Sequence, residues 1–388
     1  MKLNALRRIS SFFVILIIVL FTISSINFAQ SNARTELKIP DIAGYKTLKC
    51  DFHMHTVFSD GDVWPTVRVE EAWREGLDAI AITDHIEVQP HKKDIPTQHN
   101  RSYEIAKPKA EELGIILIKG VEITKSMPPG HFNAIFIEDA NALDSDDWRE
   151  AIKAANEQGA FVIWNHPGWE AQAPNGAKWW DEHTELYEKG WFKGIEIVNW
   201  YSYYPTVHQW ALEKNLTMLG NSDVHPPTNL AFNFCNGGHR PMTFVFAEDK
   251  SEAAIKEALF KRRTAVYFNE LLIGEEKFLR PIVEQAIEIL NPKVSVKGKG
   301  RAYIQIYNKS DLTFNLAADR DLAELSIPSE ITFYPGKTSI LQIKSKSTDV
   351  PGKRSLLLPY SIKNLLVAPD TGLPIDLAIE VDFVTSEN

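Results

Sequence analysis

Cysteine is nearly absent: the 388 residues include 2, Cys50 and Cys235. Without thiolates the chain is a poor host for an iron–sulfur cluster or copper(I). Positive charge is not in excess either. Against 51 Asp and Glu stand 42 Lys and Arg, a formal net charge of −9, which argues against a surface that coats nucleic acid. It leaves room for a small anionic substrate beside a metal centre, whose charge would be local. There is no internal repeat and no low-complexity run. No glycine-rich phosphate loop is present, since Gly237-Gly238 is isolated and lacks a following Lys. From Pro292 onward there is no His and no Cys, so that region is expected to carry no chemistry.

What is there begins with one apolar run, residues 12–21, behind Lys2, Arg7 and Arg8 and ahead of a polar exit at Ala29 to Ala33. That is the order of a secretory signal peptide over residues 1–33, with an uncleaved anchor as the alternative. The expectation is an exported protein, periplasmic or secreted, with no stable membrane insertion after cleavage. Export permits a disulfide, but Cys50 falls in an apolar strand and is expected to pack as a small hydrophobe.

The centre of the chain is Asp51-Phe52-His53-Met54-His55, followed by Ser59-Asp60-Gly61. In a strand, residues two apart share a face, so His53 and His55 reach one point while Phe52 and Met54 pack the other way. Asp60 follows on a turn. The pattern then repeats. Apolar runs at 78–83, 115–119, 160–164, 194–198 and 216–220 alternate with helical stretches. They deliver Asp84-His85, Glu122, Asn165-His166, Asn199 and Ser222-Asp223-Val224-His225; Gly130-His131 precedes another apolar run. Strand, ligand, helix in alternation predicts a parallel sheet closed into a barrel. From residue 292 short alternating segments predict a β-sandwich-like module, with 276–291 as linker.

His53, His55, Asp60, His85, Glu122, His131, His166, Asp223 and His225 therefore form one candidate set, holding six of the 11 histidines. Singly, each has an ordinary structural reading. Together they would be costly to bury without a cation, and the His/carboxylate mixture suits Zn, Mn or Fe.

The order HxH, SDG, TDH, GxE, GH, NHP, SDxH resembles the PHP (polymerase and histidinol phosphatase) superfamily over about residues 46–275. The resemblance implies a distorted seven-stranded β/α barrel and three divalent transition-metal ions. His53, His55, Glu122 and Asp223 would hold one ion, Glu122 would bridge to a second held by His131 and His166, and Asp60, His85 and His225 would hold the third. Glu122 and Asp84 are the expected catalytic residues, Asp84 by orienting an imidazole. Arg240 and Lys125 are the expected substrate-binding cations, with a solvated surface position as the alternative. Trp200, Tyr201, Tyr203 and Tyr204 are candidate pocket walls, ordinary packing being the alternative.

The expected activity is hydrolysis of a small phosphate ester, with diesters favoured, by a metal-bound hydroxide. Alternatives are a phosphomonoesterase of histidinol-phosphatase type and a non-catalytic metal- or ligand-binding surface protein. Nucleic acid is not an expected partner.

Overall fold

The computed structural model describes residues 33–42, 44–95, 98–234, 237–346 and 351–385. Residues 1–32 of the expected signal peptide and Cys235 lie outside them. The apolar runs form strands β1 (Lys46–Asp51), β2 (Ala79–Ile82), β3 (Ile116–Ile123), β4 (Phe132–Ile135), β5 (Phe161–Trp164) and β6 (Gly194–Asn199). A short β7 (Ser202–Tyr203) and then β8 (Thr217–Asn221) follow. Every residue of β2, β4, β5, β6 and β8 is buried. Such strands are covered on both faces, which is why they read as continuous rather than alternating runs.

Strands β1, β2 and β3 pair in parallel, as do β5, β6 and β8. Between these groups β4 runs antiparallel to both neighbours, a departure from the all-parallel expectation. Only residues 124–131 separate β3 from β4, too few for a crossover helix, so the chain must turn back.

The barrel-like run meets at the two strand exits that matter. Met54 and Val224 form a parallel bridge, with His55 N donating to Val224 O at 3.1 Å and Asp223 N to His53 O at 2.8 Å. Below that bridge, β9 (Met242–Ala247) takes the other edge of β1, antiparallel. Thr243 Oγ1 both accepts from Gly220 N and donates to Gly220 O, each at 3.0 Å. A Cβ at Gly220 would collide with Val266, so this close approach requires glycine.

Next come β10 (Thr264–Phe268) and β11 (Leu271–Gly274), a hairpin whose two turn residues Asn269 and Glu270 have φ of 46° and 63°. Residues 276–291, expected as a linker, instead contain a helix, Glu276–Ala286, and strand β12 (Ile287–Ile289). Phe278, Leu279, Ile282, Val283 and Ala286 of that helix are buried. Its apolar face has the helical period, and that makes it core rather than connector.

The C-terminal region comprises β13 (Lys293–Lys297), β14 (Arg301–Asn308), β15 (Phe314–Ala318), β16 (Leu325–Ser326), β17 (Glu330–Phe333), β18 (Thr338–Ser345), β19 (Gly352–Ala368) and β20 (Thr371–Val384). One sheet runs β12-β14-β18-β16. The other, β13-β20-β19 with β15 and β17, is continuous with the barrel, because β11 pairs in parallel with β19. Burial in β14 alternates residue by residue, as a strand with one wet face requires.

Candidate metal centre

Every candidate ligand sits at one end of the barrel strands. His53 and His55 leave β1, His85 follows β2, Glu122 lies near the end of β3, His166 follows β5, and Asp223 and His225 follow β8. His131 precedes β4, and because β4 is antiparallel its start lies at that same end. The local backbone is strained where two ligands are delivered: φ is 29° at His166 and 51° at Asp223. Left-handed geometry at non-glycine residues costs on the order of 1–3 kcal/mol each, tolerated where the surroundings enforce it.

Glu122 is the hub. Its Oε2 lies 3.0 Å from His53 Nε2, 3.3 Å from His55 Nε2 and 3.2 Å from His85 Nδ1. Its Oε1 lies 2.7 Å from His131 Nδ1 and 3.8 Å from His166 Nε2. Asp223 Oδ1 faces His55 Nε2 at 3.0 Å and His53 Nε2 at 3.1 Å. Asp60 Oδ1 faces His225 Nε2 at 3.2 Å and His85 Nε2 at 3.4 Å. Three overlapping groups bring their ligand atoms within 4.8 Å of one another: His55, Asp60, His85, His225; His53, Glu122, His166; and His53, His55, Asp223. These groups hold eight of the nine candidates, with His55 shared between the Asp60 and Asp223 groups; His131 falls in none of them and joins the cluster through Glu122 Oε1.

The donor set fits metal ions. Glu122 Oε1 and His131 Nδ1, 2.7 Å apart, and Asp60 Oδ1 are buried atoms that face polar neighbours without a well-oriented hydrogen bond, as ligand atoms aimed at a shared ion would. His53, His55 and Glu122 have no exposure at all. Here only imidazoles oppose the carboxylates. Burial lowers His55, but Asp223 and Glu122 outweigh it and hold it at about 9. Burial drives His85 down to about 4, reinforced by His55 and His131. Asp60, which burial would raise, is held at about 2 by His225, His85 and His55. Divalent ions would take over that positive charge and displace the protons.

Surrounding residues fix the ligands. Glu196 Oε1 accepts from His53 Nδ1 at 2.8 Å and Asn221 Nδ2 at 2.9 Å, while its Oε2 accepts from His166 N at 2.7 Å and Asn199 Nδ2 at 2.9 Å. That leaves His53 Nε2 free to face Glu122 and Asp223. Sequence reading missed Glu196, although a carboxylate inside the apolar run GIEIVN was a visible signal. Buried Arg68 donates to the carbonyls of His55, Val224, Pro226 and His225, clamping both ligand-bearing exits from behind.

Three expectations need correction. Asp84 touches no imidazole directly: Oδ1 accepts from Thr56 N at 2.6 Å and Ser59 Oγ at 2.7 Å, and Oδ2 from Thr56 Oγ1 at 2.8 Å. It pins the turn leading to Asp60, and Ser59 Oγ in turn lies 3.4 Å from His55 Nδ1. Arg240 is fully buried and holds Asp51 at 3.0 Å and Glu75 at 2.6 Å. A guanidinium committed to two carboxylates inside the protein cannot receive substrate. Lys125 Nζ turns away to Glu87 at 2.7 Å and Ser145 O at 2.7 Å.

The cleft above the ligands has a volume of about 410 Å³ and is lined by Asp60, His85, His131, His166, Asp223 and His225 with Val88, Thr124, Trp169, Ala171 and Gln172. Trp200, Tyr201, Tyr203 and Tyr204 are not in its wall. Tyr204 instead packs under Gly168, where a Cβ would meet its ring at 2.6 Å. A larger cavity of about 620 Å³ lies between barrel and C-terminal region, lined in part by Thr35, Glu75, His239, Tyr267 and Asp311. None of the three ligand groups reaches it.

Comparison with known proteins decides the family. The PHP domain profile matches residues 51–265, more than half of the chain. The chain belongs to the PHP domain family. An Ig-like domain profile matches residues 287–378, so the α/β PHP domain, whose mixed sheet is barrel-like, is followed by an all-β Ig-like domain. A two-domain protein from Bacteroides vulgatus, containing a predicted PHP-like metal-dependent phosphoesterase, has been solved by crystallography. It is 47% identical, covers 90% of this chain and 99% of its own, and superposes with a TM-score of 0.86. An uncharacterized protein of Methanocaldococcus jannaschii is 29% identical over 195 residues, 47% of this chain and 84% of that protein.

Proposed function

We propose that this PHP protein is an exported metal-dependent phosphoesterase that hydrolyses phosphodiesters. The observation that carries the reading is the convergence of eight grouped imidazole and carboxylate side chains, with His131 against Glu122, under one open cleft. The Bacteroides vulgatus relative, named as containing a PHP-like metal-dependent phosphoesterase, supports it. We assign the nine residues to three divalent transition-metal ions, Zn, Mn or Fe. When bound, such ions supply an activated water at neutral pH and positive charge for phosphoryl oxygens. In the overall reaction water adds to phosphorus, the bond from phosphorus to one ester oxygen breaks, and that oxygen takes a proton. The products are a phosphomonoester and an alcohol.

The protein's own part is placement. Glu196, Arg68 and Asp84 hold the ligand-bearing segments, and the cleft receives the ester. Among its described lining residues the cleft has no Arg or Lys. A dianionic monoester draws on cations beyond the metals, whereas a monoanionic diester with an apolar group suits Val88, Ala171 and Trp169. Export rests on Lys2, Arg7, Arg8 and the apolar run at 12–21.

The test is a pair of rates on metal-loaded protein. Bis(4-nitrophenyl) phosphate is expected to give a kcat/KM at least ~10-fold above that of 4-nitrophenyl phosphate, about 1.4 kcal/mol of transition-state preference. Faster monoester turnover would contradict the diester assignment.

A further inference from the structure

We infer that the turn from residue 168 to 173 builds a recognition site for one ester arm, which is flat, unsaturated and carries an N–H or O–H donor. This inference rests on the phosphodiester reading above and names the substrate class.

The first observation is Trp169. Its indole is 44% exposed although it lines the cleft. The ring leans edgewise on two candidate ligands, with centroids 5.2 Å from His166 and 5.8 Å from His131 at interplanar angles of 72° and 58°. Its exposed face beside the ligand cluster is therefore available to a flat group held over the cleft. Its position is also fixed. Trp169 N donates to His166 O at 2.9 Å, Ala173 N to Trp169 O at 2.7 Å and Gln172 N to Trp169 O at 3.0 Å, so the turn is locked to the ligand it follows.

The second observation is Gln172. Its Nε2 lies 3.1 Å from Lys125 O, to which it donates, and 2.9 Å from His131 Nε2. Its Oε1 is buried and has no partner. Lys125 O can only accept, so Nε2 must face it and the amide orientation is set. A buried, unpaired acceptor thus belongs to a side chain that lines the cleft. Gln172 also forms part of the wall of a second cavity of about 390 Å³ bordered by Met127, Pro167 and Trp180, so an arm longer than one ring has room to continue.

A π face and an unpaired acceptor on one rigid turn match a planar group with an edge donor. A saturated alkyl arm would satisfy neither. Stacking on an aromatic side chain changes affinity about tenfold or more, and leaving Oε1 unpaired penalises ligands that bring no donor.

Binding to the metal-loaded full chain can be measured by calorimetry with methyl phenyl phosphate, cyclohexyl methyl phosphate, dimethyl phosphate and the 3- and 4-hydroxyphenyl methyl phosphates. The phenyl ester is expected to bind about tenfold tighter than the dimethyl ester and about fivefold tighter than the cyclohexyl ester. One hydroxyphenyl isomer should bind tighter still. In Trp169→Leu, which keeps an apolar side chain, the phenyl-over-cyclohexyl preference should disappear. Equal or undetectable binding of all five, or a preference that survives in Trp169→Leu, would overturn the inference. Because affinity and product formation are scored separately for each ester, the two readings fail separately. Trp169-dependent selectivity without hydrolysis of any diester would leave the recognition site standing and remove the phosphodiesterase. Diester hydrolysis with no arm preference would do the reverse.

Discussion

Glu122→Gln is expected to lower diesterase kcat by at least ~100-fold, the size typical of losing an electrostatic catalytic group. The reason is local. Both oxygens of Glu122 are used, Oε2 among His53, His55 and His85 and Oε1 between His131 and His166. No other carboxylate of the set lies within 4.0 Å of His131 or reaches imidazoles from as many strands. Glutamine preserves the shape, removes the charge and replaces one acceptor with a donor aimed at imidazole nitrogens. An interaction that serves only to form and hold the nucleophile shows in kcat much more than in KM. Wild-type turnover in this variant, at matched metal content and with an unchanged fold, would remove Glu122 from the mechanism.

Arg240→Met should be felt in stability and not in substrate affinity. Arg240 has no exposure and stands between Asp51 and Glu75. Burial opposes its charge, and those two carboxylates more than offset that opposition. Asp51 also accepts from Ser222 N at 3.0 Å and from Ser222 Oγ at 2.5 Å, so the guanidinium helps tie the β1 exit to the β8 exit. Removing one partner strands buried charge, at a cost of roughly 3–5 kcal/mol. Chemical denaturation would read that loss as a lower midpoint, with KM for bis(4-nitrophenyl) phosphate within about twofold of wild type at temperatures where the variant is folded. A raised KM with unchanged stability would return Arg240 to the substrate site.

These two residues mark what the sequence could and could not reveal. Glu122 was legible because the ligands recur with the strands: all but one of the runs that alternate with helices, the one ending in Asn199, deliver His, Asp or Glu, and strand exits at one end converge. His53 and His55 were legible from their spacing, although β1 ends at Asp51 and both lie just beyond it, buried together with Phe52 and Met54. Arg240 was not. A cation three residues beyond Gly237 has the same sequence appearance whether it meets water, substrate or Asp51, and only the tertiary fold places Asp51, 189 positions away, at its tip. Lys125 failed for the same reason, its partner Glu87 lying on a different loop.

The reversal of β4 was within reach, since eight residues cannot span a crossover. The helix Glu276–Ala286 reads as a linker in the sequence because it packs both on β10 and β11 and on β19 and β20 of the region expected to be a separate domain. How the ligands divide into groups was beyond sequence altogether. It depends on the Met54–Val224 bridge, which sets His55 near Asp60 as well as Asp223.

Metal content tests the central claim most directly. Full-length protein purified after expression in metal-supplemented medium should carry about three transition-metal ions per chain by elemental mass spectrometry. Stripping them with a chelator should abolish diesterase activity, and re-addition should restore it. Metal content near zero, with no uptake on reconstitution and diester hydrolysis undiminished, would contradict the account.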